Sequence, residues 1–260
     1  MLMMRRAPCS GRYNIAHSIE TVAITASTNA DLLLRAQQGA PEGTWLRAEQ
    51  QQAGRGRLQR NWASPPGNLY ISTIVRLRHD DPPPATLALV AGLAFHATAA
   101  HWFGNAAPML KWPNDLLVNG AKLGGILLER TGDAVVAGLG MNITSAPDLP
   151  DRETIALHDM KGGKTATAEA VAEKLATSFA ATLNLWRDPQ RGLGAIIQEW
   201  ENCAHSRGTA LSVTGADGKK LGGTFDGLAP DGALRLRDGH GTVHMVNAGD
   251  VDLLVQTGND

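Results

Sequence analysis

The alternation of apolar and polar positions divides the chain into short strands, a few helices and one long polar loop. Residues 20–25 are an apolar-rich run of strand length. Ser27 or Thr28 then caps a helix through 32–34 that Gly39 closes, because a hydroxyl satisfies free N–H groups of a first helical turn. Residues 44–49 read as a second strand, and 50–61 as a polar loop without core periodicity. Residues 68–77 are rich in β-formers, and the prolines at 82–84 lead into an Ala-rich apolar stretch, 85–103, that reads as a buried helix. Short strands follow at 109–112 and 116–118. Asn119-Gly120 then marks a tight hairpin into a strand over 122–129. A further apolar strand covers 134–142. Val171, Leu175, Phe179 and Leu183 recur at helical spacing within 167–186, and a helix continues over 193–200.

The texture changes near Arg207. Asp-Gly pairs recur at Asp217, Asp226, Asp231 and Asp238, separated by short β runs at 210–213 and 233–236. Regular turn signals between short strands predict a small all-β barrel. The expected architecture is therefore α+β: a body over 1–205, then a β unit over 206–260.

The composition fits an ordinary globular protein, 43% hydrophobic and 19% charged. The formal net charge is −1, so a cationic site has to be local, and no global field favours nucleic acid or membrane. Cys9 and Cys203 are too far apart for a zinc knuckle and give no disulfide framework, which fits a reducing compartment. The arginine pair at 5–6 is followed by no apolar run, and the 85–103 stretch carries His96 and His101. Neither a secretion signal nor a membrane span is expected, and the cytoplasm is the expected location.

Three segments carry candidate chemistry. In Gln51-Gln52-Ala53-Gly54-Arg55-Gly56-Arg57-Leu58-Gln59-Arg60-Asn61-Trp62, glycines let backbone N–H groups approach an oxyanion and arginines supply forked donors. A mobile basic surface loop or an RNA contact is the plainer reading. Lys111-Trp112-Pro113-Asn114-Asp115 is followed by Lys122-Leu123-Gly124-Gly125-Ile126-Leu127-Leu128-Glu129. Strand alternation would put the Lys122 ammonium on one face beside a diglycine that admits a ligand; alternatively the glycines are only a bulge. Gly138-Leu139-Gly140-Met141-Asn142 lacks the third glycine of a dinucleotide fingerprint, and Gly162-Gly163-Lys164-Thr165 lacks the first glycine of a P-loop. Histidines show no metal-ligand pattern, and there is no Gly-x-Ser-x-Gly elbow.

In this order, Ser27-Thr28-Asn29, the Gln-Ala-Gly-Arg-Gly-Arg loop, Lys-Trp-Pro-Asn-Asp, Lys-Leu-Gly-Gly-Ile-Leu and Gly-x-Gly-x-Asn resemble the biotin protein ligase family. The tail around Phe225-Asp226-Gly227 is similar to that family's small SH3-like domain. The resemblance implies a mixed β-sheet flanked by helices, of the class II aminoacyl-tRNA synthetase kind, ahead of that domain. It implies ATP-dependent formation of biotinyl-5′-AMP and transfer of biotin to a lysine of a biotin carboxyl carrier protein, with Mg²⁺ carried by the ATP phosphates and no protein-bound metal. Ser27, Thr28 and Gln51 would then hold the ureido ring, with the backbone at Arg55, and Asn29 and Gly56 would be among the cofactor-binding residues. Arg57, largely through its backbone, and Lys122 would meet the carboxylate and the α-phosphate. Asn114 and Asn142 would face the adenine end. Lys111, Arg60 and Asp115 would line the phosphate and metal region, with Asp115 a candidate to orient the acceptor amine. Gly125, Leu127 and Gly140 would form close-packed walls.

The chain departs from the family pattern at Gln59, where a glycine is common. The 26 residues ahead of Ser27 are too few for the helix-turn-helix domain of ~60 residues that bifunctional members carry, so no operator binding is expected. A lipoate or octanoate ligase or transferase is the neighbouring enzymatic alternative. A non-enzymatic RNA-binding module is the other.

Overall fold

The computed structural model describes residues 18–103, 107–215 and 218–254. Cys9, the arginine pair at 5–6 and the Asp217 turn signal lie outside the described residues. The body is built on seven strands: β1 (Ile19–Thr25), β2 (Trp45–Gln51), β3 (Leu69–Arg76), β4 (Met109–Lys111), β5 (Asp115–Val118), β6 (Ala121–Thr131) and β7 (Ala134–Met141). They form one sheet in the order β1-β2-β3-β7-β6-β5-β4. β1 runs parallel to β2 and the other neighbours pair antiparallel, which makes the mixed sheet that was expected.

Helix α1 (Thr28–Gln37) covers one face. It starts at Ser27, whose extended backbone and hydroxyl cap the first turn by accepting from the Ala30 N–H. Its Leu32 and Ala36 pack on Leu46, Ile74 and Val136. The other face is covered by α2 (Leu87–Ala100), α3 (Ala168–Trp186) and α4 (Gly192–Asn202). α2 is apolar nearly all round because it lies between the sheet and α3, so it has almost no solvent side to make polar. Thr167 caps α3 through the Ala170 N–H, and the buried Trp186 at its end donates to Thr86 Oγ1 at 2.8 Å. No helix among the described residues is long and apolar enough to cross a membrane.

The C-terminal strands are β8 (Ala210–Thr214), β9 (Lys220–Leu228), β10 (Leu234–Arg237), β11 (Val243–Val246) and β12 (Asp250–Leu253). They make an antiparallel sheet in the order β11-β10-β9-β8-β12. The expectation of a barrel is corrected here: among the described residues β11 and β12 do not pair, and the sheet stays open. The reason lies in β12. One side of it pairs with β8, while the carbonyls of Gly249 and Val251 accept from Arg57 and Lys111 of the body. An edge engaged in that way is not available to close a barrel. Leu211, Val213, Phe225, Leu228, Leu234 and Leu236 join the main core, and Glu201 of α4 accepts from the Leu228 N–H and from Arg207.

Candidate active site

On the α1 side of the body sheet lies a cavity of about 510 Å³, walled by the arginine loop, by residues around 149–152 and by β12. Its floor is a pair of strands in which glycines take several facing positions. Gly125 faces Gly140 and Leu127 faces Gly138 in the β6–β7 register. A Cβ at Gly140 would come within 2.8 Å of Trp62, and one at Gly138 within 2.1 Å of Asn29 Oδ1. Glycine is required at both because other groups already occupy the space above them.

A register break sets the direction of Lys122. Asp115 pairs with Gly125 and Leu116 with Gly124, but Leu117 pairs with Lys122, leaving Leu123 as an extra residue in β6. Strict alternation would send Lys122 to the same side as Gly124, which faces Phe95 of α2. The bulge turns it to the Gly125 side, where its Nζ lies 3.3 Å from a Cβ built at Gly125 and 5.5 Å from the Trp62 ring centroid. The bulge thus sits at Lys122–Leu123, one step before the diglycine.

At the inner end, a polar network surrounds the start of α1. Gln51 Oε1 accepts from the Thr28 N–H at 2.9 Å, and Gln51 Nε2 donates to Ser64 Oγ at 3.3 Å. The Thr28 and Ser72 hydroxyls lie 2.7 Å apart, and Ser72 donates to Asn29 Oδ1 at 2.6 Å. Asn29 also donates to Glu129, whose other oxygen holds Arg55 at 3.4 Å. The Asn29 amide thus joins α1 to β6, and Ser27, Thr28, Asn29 and Gln51 together line this inner end of the cavity.

At the outer end charge accumulates. Six cationic side chains line the cavity (Arg55, Arg57, Arg60, Lys111, Lys122 and Arg152) against four carboxylates (Asp115, Asp151, Asp250 and Asp252). A chain of formal charge −1 therefore holds a local cationic excess, as an anion site requires. Asp115 is buried between Lys122 Nζ at 2.5 Å and Lys111 Nζ at 3.1 Å. Burial opposes its ionisation, but the two ammonium groups outweigh burial and hold the carboxyl below its usual range. Burial pushes the Lys122 ammonium below its ordinary value; Asp115 pulls the other way, while Arg152 and Lys111 add to the lowering. Burial likewise lowers Arg57.

Backbone bonds within the arginine loop set its shape. Arg55 and Asn61 form an isolated bridge, Gly56 N–H donates to Arg60 O at 2.8 Å, and Trp62 N–H to Gly54 O at 2.9 Å. Leu58 and Gln59 both have positive φ, 52° and 58°. The departure from a family glycine therefore falls where glycine is at ease and an L side chain is strained by roughly 1–2 kcal/mol. Replacing Gln59 by glycine is expected to change the dissociation rate of a bound adenylate by at least about twofold, read by filter retention; an equal rate in both proteins would detach loop stiffness from retention.

Of the residues singled out in the sequence, Ser27, Thr28, Asn29, Gln51, Arg55, Gly56, Arg57, Arg60, Lys111, Asn114, Asp115, Lys122, Gly125, Leu127 and Gly140 all line this one cavity. Asn142 does not. It is buried behind the wall, its amide donating to the carbonyls of Lys122 at 3.4 Å and Ile155 at 3.2 Å. Asn114 sits between Arg57 and the Ile126 carbonyl. Sequence reasoning passed over Tyr70, Arg152 and Asp250. Arg152 belonged to no motif, and Asp250 lies in the tail read only for its turns.

A mixed sheet with a cationic, glycine-floored cavity, flanked by a small antiparallel sheet, defines an enzyme that handles an anionic ligand beside a neutral polar one. Residues 22–143 match the Biotin/lipoate A/B protein ligase family, and residues 212–254 match the Biotin protein ligase C terminal domain. A biotin–[acetyl-CoA-carboxylase] ligase of Mycobacterium tuberculosis is 37% identical over 90% of this chain and 88% of its own. A biotin protein ligase structure from Aquifex aeolicus, in complex with biotin and ATP, superimposes with a TM-score of 0.78 at 24% identity, over 91% of this chain and 98% of that one. One from Leishmania major, in complex with biotinyl-5-AMP, gives 0.60 at 26% identity, over 88% and 98%. The chain belongs to the biotin protein ligase family.

Proposed function

We propose that this protein condenses biotin with ATP to biotinyl-5′-AMP and transfers the biotinyl group to a lysine of a biotin carboxyl carrier domain. The observation that carries the reading is that one cavity joins the Ser27–Thr28–Gln51 end, with donors and acceptors suited to a ureido group, to the Arg57–Lys111–Lys122 end. A buried ureido group left unpaired would cost about 1–3 kcal/mol per polar group, so a polar inner end fits that ligand.

In the first half-reaction a carboxylate oxygen attacks the α-phosphorus and pyrophosphate leaves. Two anions about 3 Å apart repel strongly in a dry site, and cations between them are the remedy. Lys122, Arg57 and Lys111 supply that charge, and no protein nucleophile or general base is needed at this step because the biotin carboxylate is ionised at neutral pH. In the second, the carrier amine loses a proton, attacks the acyl carbon and expels AMP. Asp115 is a candidate to orient that amine, although both of its oxygens are held by lysines in this structure. Mg²⁺ would come in on the triphosphate, beside Asp115, whose two oxygens Lys111 and Lys122 hold. Bound there, it would add charge neutralisation at the phosphates.

The same reading includes a division into a catalytic unit over 1–205 and a C-terminal unit over 206–260, a cytoplasmic location, and no role for nucleic acid or membrane. The deciding experiment incubates the purified protein with a carrier domain, ATP and Mg²⁺, and either biotin or lipoate. Biotin-dependent labelling of the carrier lysine is the expected result. Labelling by lipoate alone would move the protein to the sister activity. Tight, salt-dependent RNA binding with no labelling would move it out of enzymology.

A further inference from the structure

We infer that Asp250 is a positioning residue: its carboxylate stands in for nucleotide phosphate, holding the arginine loop over the cavity until ATP displaces it. The inference rests on the reading of this cavity as an ATP site. Three consecutive residues, Gly249 just ahead of β12 and Asp250 and Val251 at its start, take three of the site's cations. Gly249 O accepts from Arg57 Nη2 at 3.0 Å, and the Asp250 carboxylate lies 3.7 Å from Arg57 Nη1 and bonds Arg60 Nη2. Val251 O accepts from Lys111 Nζ at 2.9 Å. Asp250, Val251 and Asp252 line the cavity themselves, so these bonds form inside the site.

Charge explains why such a partner is needed. Arg60 sits close enough to disfavour the charge of Arg57, which is largely withdrawn from water. Without an anion, the loop would have to hold two guanidinium groups together on strained backbone at Leu58 and Gln59. Asp250 supplies that anion from 190 residues away in sequence. A single carboxylate is also a weak competitor. A triphosphate brings about four negative charges at neutral pH with more acceptor oxygens, and arginine forks favour phosphate geometry. The exchange from Arg60–carboxylate to Arg60–phosphate breaks no covalent bond.

Two consequences separate this role from a merely structural one. Asp250 stabilises the closed loop in the free enzyme and opposes nucleotide binding, so removing its charge should loosen the first and favour the second. Hydrogen–deuterium exchange over residues 53–61 of Asp250→Asn, without ligands, is expected to rise at least about tenfold over wild type. Exchange within residues 210–228 is expected to stay unchanged, and Asp250→Glu to remain within about threefold of wild type. With saturating ATP the excess exchange at 53–61 should vanish, and the KM for ATP of Asp250→Asn should fall at least about threefold with kcat within about twofold.

Unaltered exchange at 53–61 in the free variant overturns the proposal. So does an equal rise over 210–228, which would make Asp250 part of the small sheet's own folding, and so does a raised KM for ATP. If ATP changes the exchange of neither protein, it is the nucleotide reading of the cavity that fails; the free-protein difference still decides whether Asp250 holds the loop.

Discussion

Lys122→Ala is expected to slow ATP- and biotin-dependent pyrophosphate release at least about tenfold, equivalent to ~1.4 kcal/mol of lost transition-state stabilisation. The bulge in β6 places the Lys122 ammonium on the cavity side, beside the Gly125–Gly140 floor and under the Trp62 ring. The neighbouring cations come from other elements, Arg57 and Arg60 from the loop and Lys111 from the end of β4. Its removal strips charge from the place where two anions must meet. The fold should tolerate the change, because Asp115 keeps Lys111 as a partner at 3.1 Å. A melting temperature within a few degrees of wild type, together with slow pyrophosphate release, would assign the loss to the chemical step. Release at the wild-type rate would remove Lys122 from the mechanism.

Gly138→Ala is expected to raise the KM for biotin at least about tenfold and to cost roughly 1–3 kcal/mol of stability, the usual penalty for overpacking. A methyl at this position would lie 2.1 Å from Asn29 Oδ1. Asn29 cannot swing aside freely, since it accepts from Ser72 and donates to Glu129 and the Leu127 carbonyl. The strain is therefore passed to the first turn of α1, where Ser27 and Thr28 face the cavity. The KM for ATP should move less than about threefold, because the cationic end is built on other elements. Titrating each substrate in turn and measuring a urea midpoint gives all three quantities. An unshifted biotin KM in a destabilised protein would show that the α1 start is not where biotin is held.

Much of this arrangement could be read from the residues, and the parts that could not have a common cause. The strands, the Ser27 cap, the Asn119-Gly120 hairpin and the buried character of α2 follow from local periodicity and turn chemistry, which a sequence displays directly. The motifs also pointed to one cavity, since nearly all their residues meet there. What the residues do not display are relations between distant segments. Asn142 sits in a glycine-rich motif, yet its amide is consumed in holding the 153–155 segment against β6. Nothing near Asp250 announces its partners Arg57 and Arg60. The turn signals after Arg207 correctly gave short strands, but whether such strands close depends on what else claims the edge of β12, and here the body does. Lys122 was placed on a face by alternation, whereas its true direction depends on a one-residue mismatch with β5 that pairing alone reveals.

That mismatch makes the length of β6 as decisive as its composition. Side-chain direction along a strand depends on whether a count is odd or even, so Leu123 works as a parity bit between Lys122 and the sheet. Losing Leu123 alone would remove the bulge and, by plain alternation, leave the ammonium two positions before Gly125 on the ligand side, whereas losing two residues there would deliver it to the oily helical side. Engineered or natural length variation in this hairpin should therefore be sorted by evenness before it is sorted by sequence.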